Sequence, residues 1–572
     1  MPVFLIIFVT LFSPYVLAKP PLDLSLDFLK NQNQSQSQSQ SQNQSQSQNQ
    51  SQSQNQNQNN FQNDNKNILP ELGDISSTEL PIYQEREIGF QVLQSIRKTP
   101  SFLDDIFVLN YLNKIGKSLK NAQKKSEFDL TLFAINDSSV NAFALPGGYI
   151  GVNSGLILLA ENESELAGVL SHEISHIEQR HIARKIYQSK KLTIPSLIAM
   201  GVAMAAAAAS DNSGNVATAA ISTTQAALAH NELAFSREFE QEADRFGFDL
   251  LRKSKFDAHG MADFFARLYS HNHSNELNSY AYLQTHPLTL QRLSDMQNRE
   301  KVLANANSNA NANANANKNV DLNFYFVKAY LDFLNLKKHN SPQQLLKIIS
   351  TRNPKNFLEN LSNNYELALV YFVNGDKNNA EKFLKLCQNQ SEQLGKNWQN
   401  FLFLVDLQAN LDNSPKIYEN LLSKNSREII VLYANFVLRN QNLQNSQNIK
   451  KLQNLDKLLD KQISASKNLP NLTNLTNINK NFDFNLYYLF RLKAELSAVL
   501  GNFIQQNFYI ANAMILEGKF QAALTQLEMI KNQQNYQNQN SKKENFYLLS
   551  QVEAKILQLK NYLKNNPPEN MQ

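Results

Sequence analysis

Residues 172–176 read His172-Glu173-Ile174-Ser175-His176, and this stretch constrains the chain more than any other. On an α-helix, residues four apart share a face, so both imidazoles can reach one metal ion while Glu173 points beside them towards an attacking water. The pattern therefore demands a helix at this point, a third ligand elsewhere in the fold, and an open fourth position. It points to metal-assisted hydrolysis of the kind zinc supports.

The surrounding residues predict the helix. Asn162 and Glu165 make an N-cap and N3 pair, and Leu166, Val169, Leu170 and Ile177 recur at helical spacing along 163–187. An exposed helix with an accidental histidine pair would lack this apolar stripe. Downstream, residues 235–247 read FSREFEQEADRFG, with Phe239, Ala243 and Phe246 at core spacing. Glu240 and Asp244 are four apart, so one carboxylate can bind the metal while the other accepts the free N–H of a ligand histidine. Glu240 is the expected third ligand. Glu238 and Glu242 are expected to meet solvent. His181, five residues past His176, is turned about 140° around a continuous helix and should stay off the metal, in a structural role.

The pairing of HEISHIEQRH with SREFEQEADRFG resembles the gluzincin metallopeptidases, a group that includes a heat-shock protease and the CAAX prenyl protease. Within it the chain looks most like exported bacterial peptidases whose catalytic domain precedes tetratricopeptide repeats. LPELGD at 69–74, NAFALPGG at 141–148 and THPLTLQRL at 285–293 extend the resemblance over about Leu69–Arg299. It implies one zinc ion per chain, held by His172, His176 and Glu240, with Asp244 supporting a ligand and Glu173 as general base. It also implies that Asn141, Ala142 and Phe143 line a sheet edge that takes substrate as an extra strand. His286 and Arg292, in the H-P motif and just after it, are implied to lie by the active site, as candidates to stabilise the oxyanion. His286 is also a good zinc ligand, so a loop that closed over the site would make it a gate; both roles stay open.

Other segments bound the setting. Met1–Ala18 is an apolar run ending Val16-Leu17-Ala18, as a cleavable export signal would, although its start lacks Lys and Arg and an uncleaved anchor stays open. Residues 31–60 contain only Asn, Gln and Ser, with no apolar surface to bury, and are expected to be disordered. Residues 304–319 alternate Ala and Asn as a linker, and an Asn/Leu-rich insertion is expected near 441–481. Cys387 is the single cysteine, excluding an intrachain disulfide and fitting a small core residue. Charged residues make up 18%, with a net charge of +5 over 572 residues, and no basic stripe argues for nucleic acid.

Between the first linker and the motif, 84–98 and 104–122 have helical period, 129–136 alternates as a strand, and 141–145 and 149–152 form extended arms about Pro146-Gly147-Gly148, with a short helix at 154–160. Residues 192–209 are apolar but Ala-rich and contain Pro195. With a second Ala/Thr-rich stretch at 215–229 they are expected to pack as two helices in a hairpin over the site, touching a membrane or partner, with a membrane span as the alternative. His271 and His273 lie in an expected loop with weak metal significance.

From 321 to 563 the period is almost wholly helical. Tyr365–Leu386 places Ala368, Tyr371, Gly375, Ala380 and Leu384 where Ile510–Leu527 places Ala513, Ile515, Gly518, Ala523 and Leu527, and 491–503 adds Ala494, Ala498 and Gly501. Small residues at helix crossings around a turn glycine fit tetratricopeptide-type repeats, with ordinary helical hairpins as the alternative.

The expected protein is mainly α. A signal segment (1–18) and a disordered segment (19–66) precede an α+β zincin-like metallopeptidase domain with a small sheet (67–302). A linker (303–319) then leads to a TPR-like helical repeat domain (320–565). The resemblance implies a zinc-dependent endopeptidase in the periplasm of a Gram-negative bacterium, handling unfolded or misassembled outer-membrane proteins, with the barrel-assembly machinery as a partner of the repeats and peripheral membrane contact. A repeat scaffold with a latent or structural metal site, and a membrane-embedded peptidase, are the alternatives.

Overall fold

The computed structural model describes residues 80–123, 126–188, 236–274, 281–307, 321–424, 426–439, 446–466, 482–534 and 544–565. The expected signal segment, the Asn/Gln/Ser tract, LPELGD and the apolar run at 192–209 lie outside these residues. Among the described residues, no helix is long and apolar enough to cross a membrane.

Two helices, α1 (Ile82–Ile96) and α2 (Ile106–Lys120), lead into the sheet. Asp105 starts α2 by accepting the N–H groups of Phe107 and Val108 at 2.9 and 3.2 Å, which satisfies two donors with no partner inside the helix. The sheet has three strands, β1 (Thr131–Ile135), β2 (Ala142–Leu145) and β3 (Tyr149–Asn153), in the order β1-β3-β2. β1 runs parallel to β3 with Thr131 opposite Tyr149, and β2 pairs antiparallel with Phe143 opposite Gly151. Every residue of β1 and β3 is buried, and β2 forms one edge.

After α3 (Ser154–Leu159) comes the helix of the H-E-x-x-H stretch, α4 (Glu163–Glu178). Asn162 caps it, accepting from the N–H groups of Ser164 and Glu165 at 3.0 Å each. Glu165 reaches back to the N–H of Glu161 at 2.8 Å, one residue before the expected partner. The helix stops at Glu178 rather than running on to 187. Arg180 takes a left-handed φ of 54°, and a new helix, α5 (His181–Gln188), starts at His181. Arg180 holds that break by donating to Glu85 of α1 through Nε at 2.8 Å and Nη2 at 2.6 Å, a long-range pairing that helical period cannot register.

Helices α6 (Arg237–Lys253) and α7 (His259–Ser274) pack on α4, followed by α8 (Ala281–Thr285) and α9 (Leu290–Asn307). His271 and His273 sit in α7, not in a loop, and their side chains lie outside the described residues. Phe246, expected in the core, is 39% exposed; Gly247 and Phe248 face inward instead. Gly247 sits at a close approach of two helices. A Cβ at that position would lie 3.0 Å from the carbonyl oxygen of Ser171 and 3.1 Å from the Cα of His172, so the missing side chain lets α6 lie directly against the turn that carries His172.

The remaining helices are α10 (Leu322–Lys337), α11 (Pro342–Ser350), α12 (Phe357–Val373), α13 (Lys377–Gln393), α14 (Leu402–Asp412), α15 (Lys416–Leu421), α16 (Arg427–Arg439), α17 (Ser446–Ser464), α18 (Phe484–Val499), α19 (Phe503–Leu516), α20 (Phe520–Gln534) and α21 (Glu544–Asn565). The pairs α12–α13, α18–α19 and α19–α20 pack as hairpins about Gly375, Gly501 and Gly518, whose φ values are 78, 72 and 71°. This helical region is consistent with TPR-like repeats. The expected insertion near 441–481 is partly overturned, because α17 buries Leu452, Leu455, Leu459 and Ile463. Their spacing of three and four residues is that of an amphipathic helix, hidden in sequence by Asn and Gln on its other face. Cys387 is buried.

The apolar core runs unbroken from Leu80 of the first region to Leu516 of the helical one. Polar contacts reinforce it. The Tyr330 hydroxyl donates to Asp105 at 2.8 Å, Tyr488 to Asp104, and Lys328 to the carbonyl of Ala160 at 2.6 Å. A second cluster of Phe508, Ala511, Ile515, Leu527 and Leu559 closes the C-terminal end.

Candidate metal centre

Four buried side chains from three elements converge. One ligand atom each from His172, His176, Glu240 and His286 falls within 4.8 Å of the others. His172 and His176 project from one face of α4 with their Nε2 atoms 3.0 Å apart. Glu240, on the first turn of α6, brings Oε1 to 3.4 Å from His176 Nε2 and Oε2 to 3.5 Å from His172 Nε2. His286, just past α8, lies 3.0 Å from Glu240 Oε1 through Nδ1.

Two nitrogens and a carboxylate oxygen around one point, with a further imidazole, are the donor set of a divalent transition metal such as zinc. The electrostatics agree. Burial pushes His172 down, but Asp244 and Glu240 outweigh it and raise it to about 9. Burial alone would raise Glu240, yet His286 and Arg292 hold it well below the usual carboxylate range. A carboxylate kept ionised beside two imidazoles fits a bound cation.

Glu173 lies alongside, fully buried. Its Oε1 accepts the Tyr282 hydroxyl at 3.1 Å and lies 3.6 Å from His286 Nε2, while its Oε2 accepts the N–H of Ala144 at 3.1 Å. Burial raises its pKa, opposed by His286 and His172. Tyr282 stacks on His286 with centroids 4.6 Å apart and planes at 21°, and its N–H donates to the carbonyl of Val140 at 3.1 Å. The short helix α8 thus lies over both the metal cluster and the sheet edge. Nothing in the sequence around Tyr282 marks it, since its partners are 109 and 142 residues away.

Asp244 Oδ1 stands 3.0 Å from His172 Nδ1, the relation its spacing suggested. Arg292 lies against both carboxylates. Its Nε and Nη2 donate to Asp244 at 2.7 and 2.8 Å, its Nη1 donates to the carbonyl of Pro287 at 2.7 Å, and Nη1 also lies 2.6 Å from Glu240 Oε2. In this arrangement the guanidinium is directed at Asp244, Glu240 and the Pro287 carbonyl, which suits it to hold the two carboxylates.

The sheet edge is also shifted by one residue. The N–H of Asn153 donates to the carbonyl of Asn141 at 3.0 Å, so by antiparallel alternation Asn141 and Phe143 turn their main-chain groups inward to β3. Ala142 and Ala144 turn theirs outward, and the Ala144 N–H meets Glu173. Sequence period places a strand but not its hydrogen-bonding phase. Glu238 is exposed as expected. Glu242 is not left to solvent: it accepts from Arg184 at 2.9 Å and lies 3.2 Å from His181 Nε2. His181 stays off the metal cluster but touches it, with its Nδ1 2.9 Å from His176 Nδ1.

A helix bearing H-E-x-x-H, a carboxylate helix laid across it and a short sheet alongside define a metallopeptidase domain. Residues 110–300 match the profile of Peptidase family M48, so this part of the chain is similar to that family. Over 240 residues it is 34% identical to a putative beta-barrel assembly-enhancing protease of Vibrio cholerae, covering 41% of this chain and 47% of the relative. It is 32% identical over 237 residues to the beta-barrel assembly-enhancing protease of Escherichia coli, covering 41% and 48%. A mitochondrial metalloendopeptidase of Schizosaccharomyces pombe is 28% identical over 187 residues, covering 33% and 51%. The chain thus spans about half the length of these relatives.

Proposed function

We propose that this chain is a zinc-dependent endopeptidase that rests closed and acts on unfolded or misassembled outer-membrane proteins in the periplasm of a Gram-negative bacterium. The convergence of His172, His176 and Glu240 beside the buried Glu173 carries the reading. In it, residues 67–302 are the peptidase domain, 320–565 are a TPR-like domain that presents clients or meets the barrel-assembly machinery, and 1–18 is the export signal. The names of the bacterial relatives support the substrate class and setting.

One zinc ion, held by His172, His176 and Glu240, would supply Lewis acidity to the scissile carbonyl and to the attacking water. The chain's own residues do the rest. Glu173 takes the proton of the attacking water and returns it to the leaving amine, as its burial and raised pKa suit. Asp244 and Arg292 fix His172 and Glu240. A substrate strand adds at the outward groups of Ala142 and Ala144.

His286 is the gate in this reading. A fourth protein ligand leaves no open position, and catalysis needs one. Withdrawal of α8 frees the fourth position, the hydroxyl-capped Glu173 and the sheet edge together, because His286 and both groups of Tyr282 move as one segment. A repeat scaffold with a structural metal would have no use for the buried Glu173. The test pairs zinc stoichiometry with cleavage of an unfolded protein by wild-type and Glu173→Gln chains. One zinc in both with cleavage only by wild type supports the reading, and zinc in both without cleavage, even after His286→Ala, sinks it.

A further inference from the structure

His181 and Glu242 play no part in the reaction described above, yet they connect the metal cluster to the protein surface. His176 Nε2 faces His172 and Glu240, so the nitrogen left for second contacts is Nδ1, 2.9 Å from His181 Nδ1. The other nitrogen of His181, Nε2, lies 3.2 Å from Glu242 Oε2. Arg184 holds that carboxylate at 2.9 Å, and His181 and the Arg184 guanidinium both lie on the Phe239 ring, at 4.6 and 4.5 Å. The left-handed Arg180 makes this possible: it ends α4 and swings His181 back under His176.

We infer that His181 is a positioning residue for His176 and that Glu242 sets the tautomers of both rings. The order of protons follows from chemistry. An ionised carboxylate only accepts, so His181 Nε2 carries hydrogen and donates to Glu242. His181 Nδ1 is then a bare acceptor and takes the hydrogen of His176 Nδ1. His176 Nε2 is left as a lone pair aimed at the cluster, the form that ligates a metal. A carboxylate on α6, beyond the metal's reach, thereby fixes which nitrogen of an α4 histidine is free to bind. The inference rests on the metallopeptidase reading.

The test measures zinc affinity of the full chain by competition with a chelator. Asn places its amide oxygen where His places Nδ1, so His181→Asn keeps the acceptor and His181→Phe removes it while keeping a ring against Phe239. His181→Phe is expected to weaken zinc binding about 10- to 100-fold, and His181→Asn to restore most of it. Glu242→Leu is expected to weaken binding roughly tenfold in the wild-type background and little in the His181→Asn background, where no imidazole needs a tautomer set. Equal affinity for wild type and His181→Phe, equal loss in both His181 variants, or the same effect of Glu242→Leu in both backgrounds would overturn the inference. If His181→Phe does not fold, the two Glu242→Leu measurements decide alone. A wild-type chain that binds no zinc would instead overturn the metallopeptidase reading itself.

Discussion

Arg292 grips Asp244 with two parallel hydrogen bonds, Nε to Oδ2 at 2.7 Å and Nη2 to Oδ1 at 2.8 Å, both partners buried. The same carboxylate faces His172 Nδ1 at 3.0 Å, so the fork determines how the first histidine of the cluster is held. Lysine offers a point charge without the fork. Arg292→Lys is therefore expected to weaken zinc binding about 10- to 100-fold. Arg292→Met, which leaves two buried carboxylates without their cation, should cost about 3–5 kcal/mol in urea unfolding of the zinc-free chain.

Glu173→Gln keeps the shape of the site and removes the carboxylate proposed as the base. Cleavage of an unfolded substrate is expected to fall at least 10²- to 10⁴-fold with unchanged zinc stoichiometry, since general-base catalysis is worth about that much.

Tyr282 and His286 close the site from one segment, so loosening either should raise basal cleavage. Tyr282→Phe loses the hydrogen bond to Glu173 and keeps the ring stacked on His286. A shift of about 1.4 kcal/mol in the open–closed balance gives roughly tenfold more activity. His286→Ala should exceed it. Peptide turnover with zinc content held equal measures both, and a drop in either variant would favour an electrophilic role for that residue.

Asp105 gives a pH dependence with a definite sign. Burial, opposed by the Tyr330 hydroxyl, pushes its carboxyl up from 3.8 to about 6. A folded value above the unfolded one means that its contribution is full below pH 3.8 and is lost as pH rises through 6. The loss is about 3 kcal/mol by the conversion of 1.36 kcal/mol per unit. Asp105→Asn keeps the carbonyl oxygen that caps α2 and turns an amide N–H towards the Tyr330 hydroxyl, which can accept it, so the stability difference between variant and wild type should move in the variant's favour from pH 4 to pH 7.5, read as urea midpoints.

Gly518 packs the helical region on the peptidase domain. With φ at 71°, and Phe90 Cε1 only 2.7 Å from where a Cβ would stand, Gly518→Ala should destabilise by about 2 kcal/mol. Gly375 has a like φ of 78° but nothing within 4 Å, so Gly375→Ala should cost about half as much. Thermal unfolding distinguishes them.

What the sequence determined by itself was local. His172 and His176 share a face because helices repeat every 3.6 residues, and Glu240 with Asp244 do so for the same reason, so three of the side chains that meet in the cluster, and a carboxylate beside them, were readable from spacing. The strands about Pro146-Gly147-Gly148 and the glycine-centred hairpins were readable from alternation and turn chemistry. The tertiary structure alone decided which groups meet across long separations. Arg292 spends its donors on carboxylates, α8 closes over Glu173, Ala144 rather than Phe143 turns its N–H to the base, and His181 returns to His176 because Arg180 breaks the helix against Glu85. Each depends on distance and hydrogen-bond direction between segments far apart in the chain, quantities that periodicity within one segment does not encode.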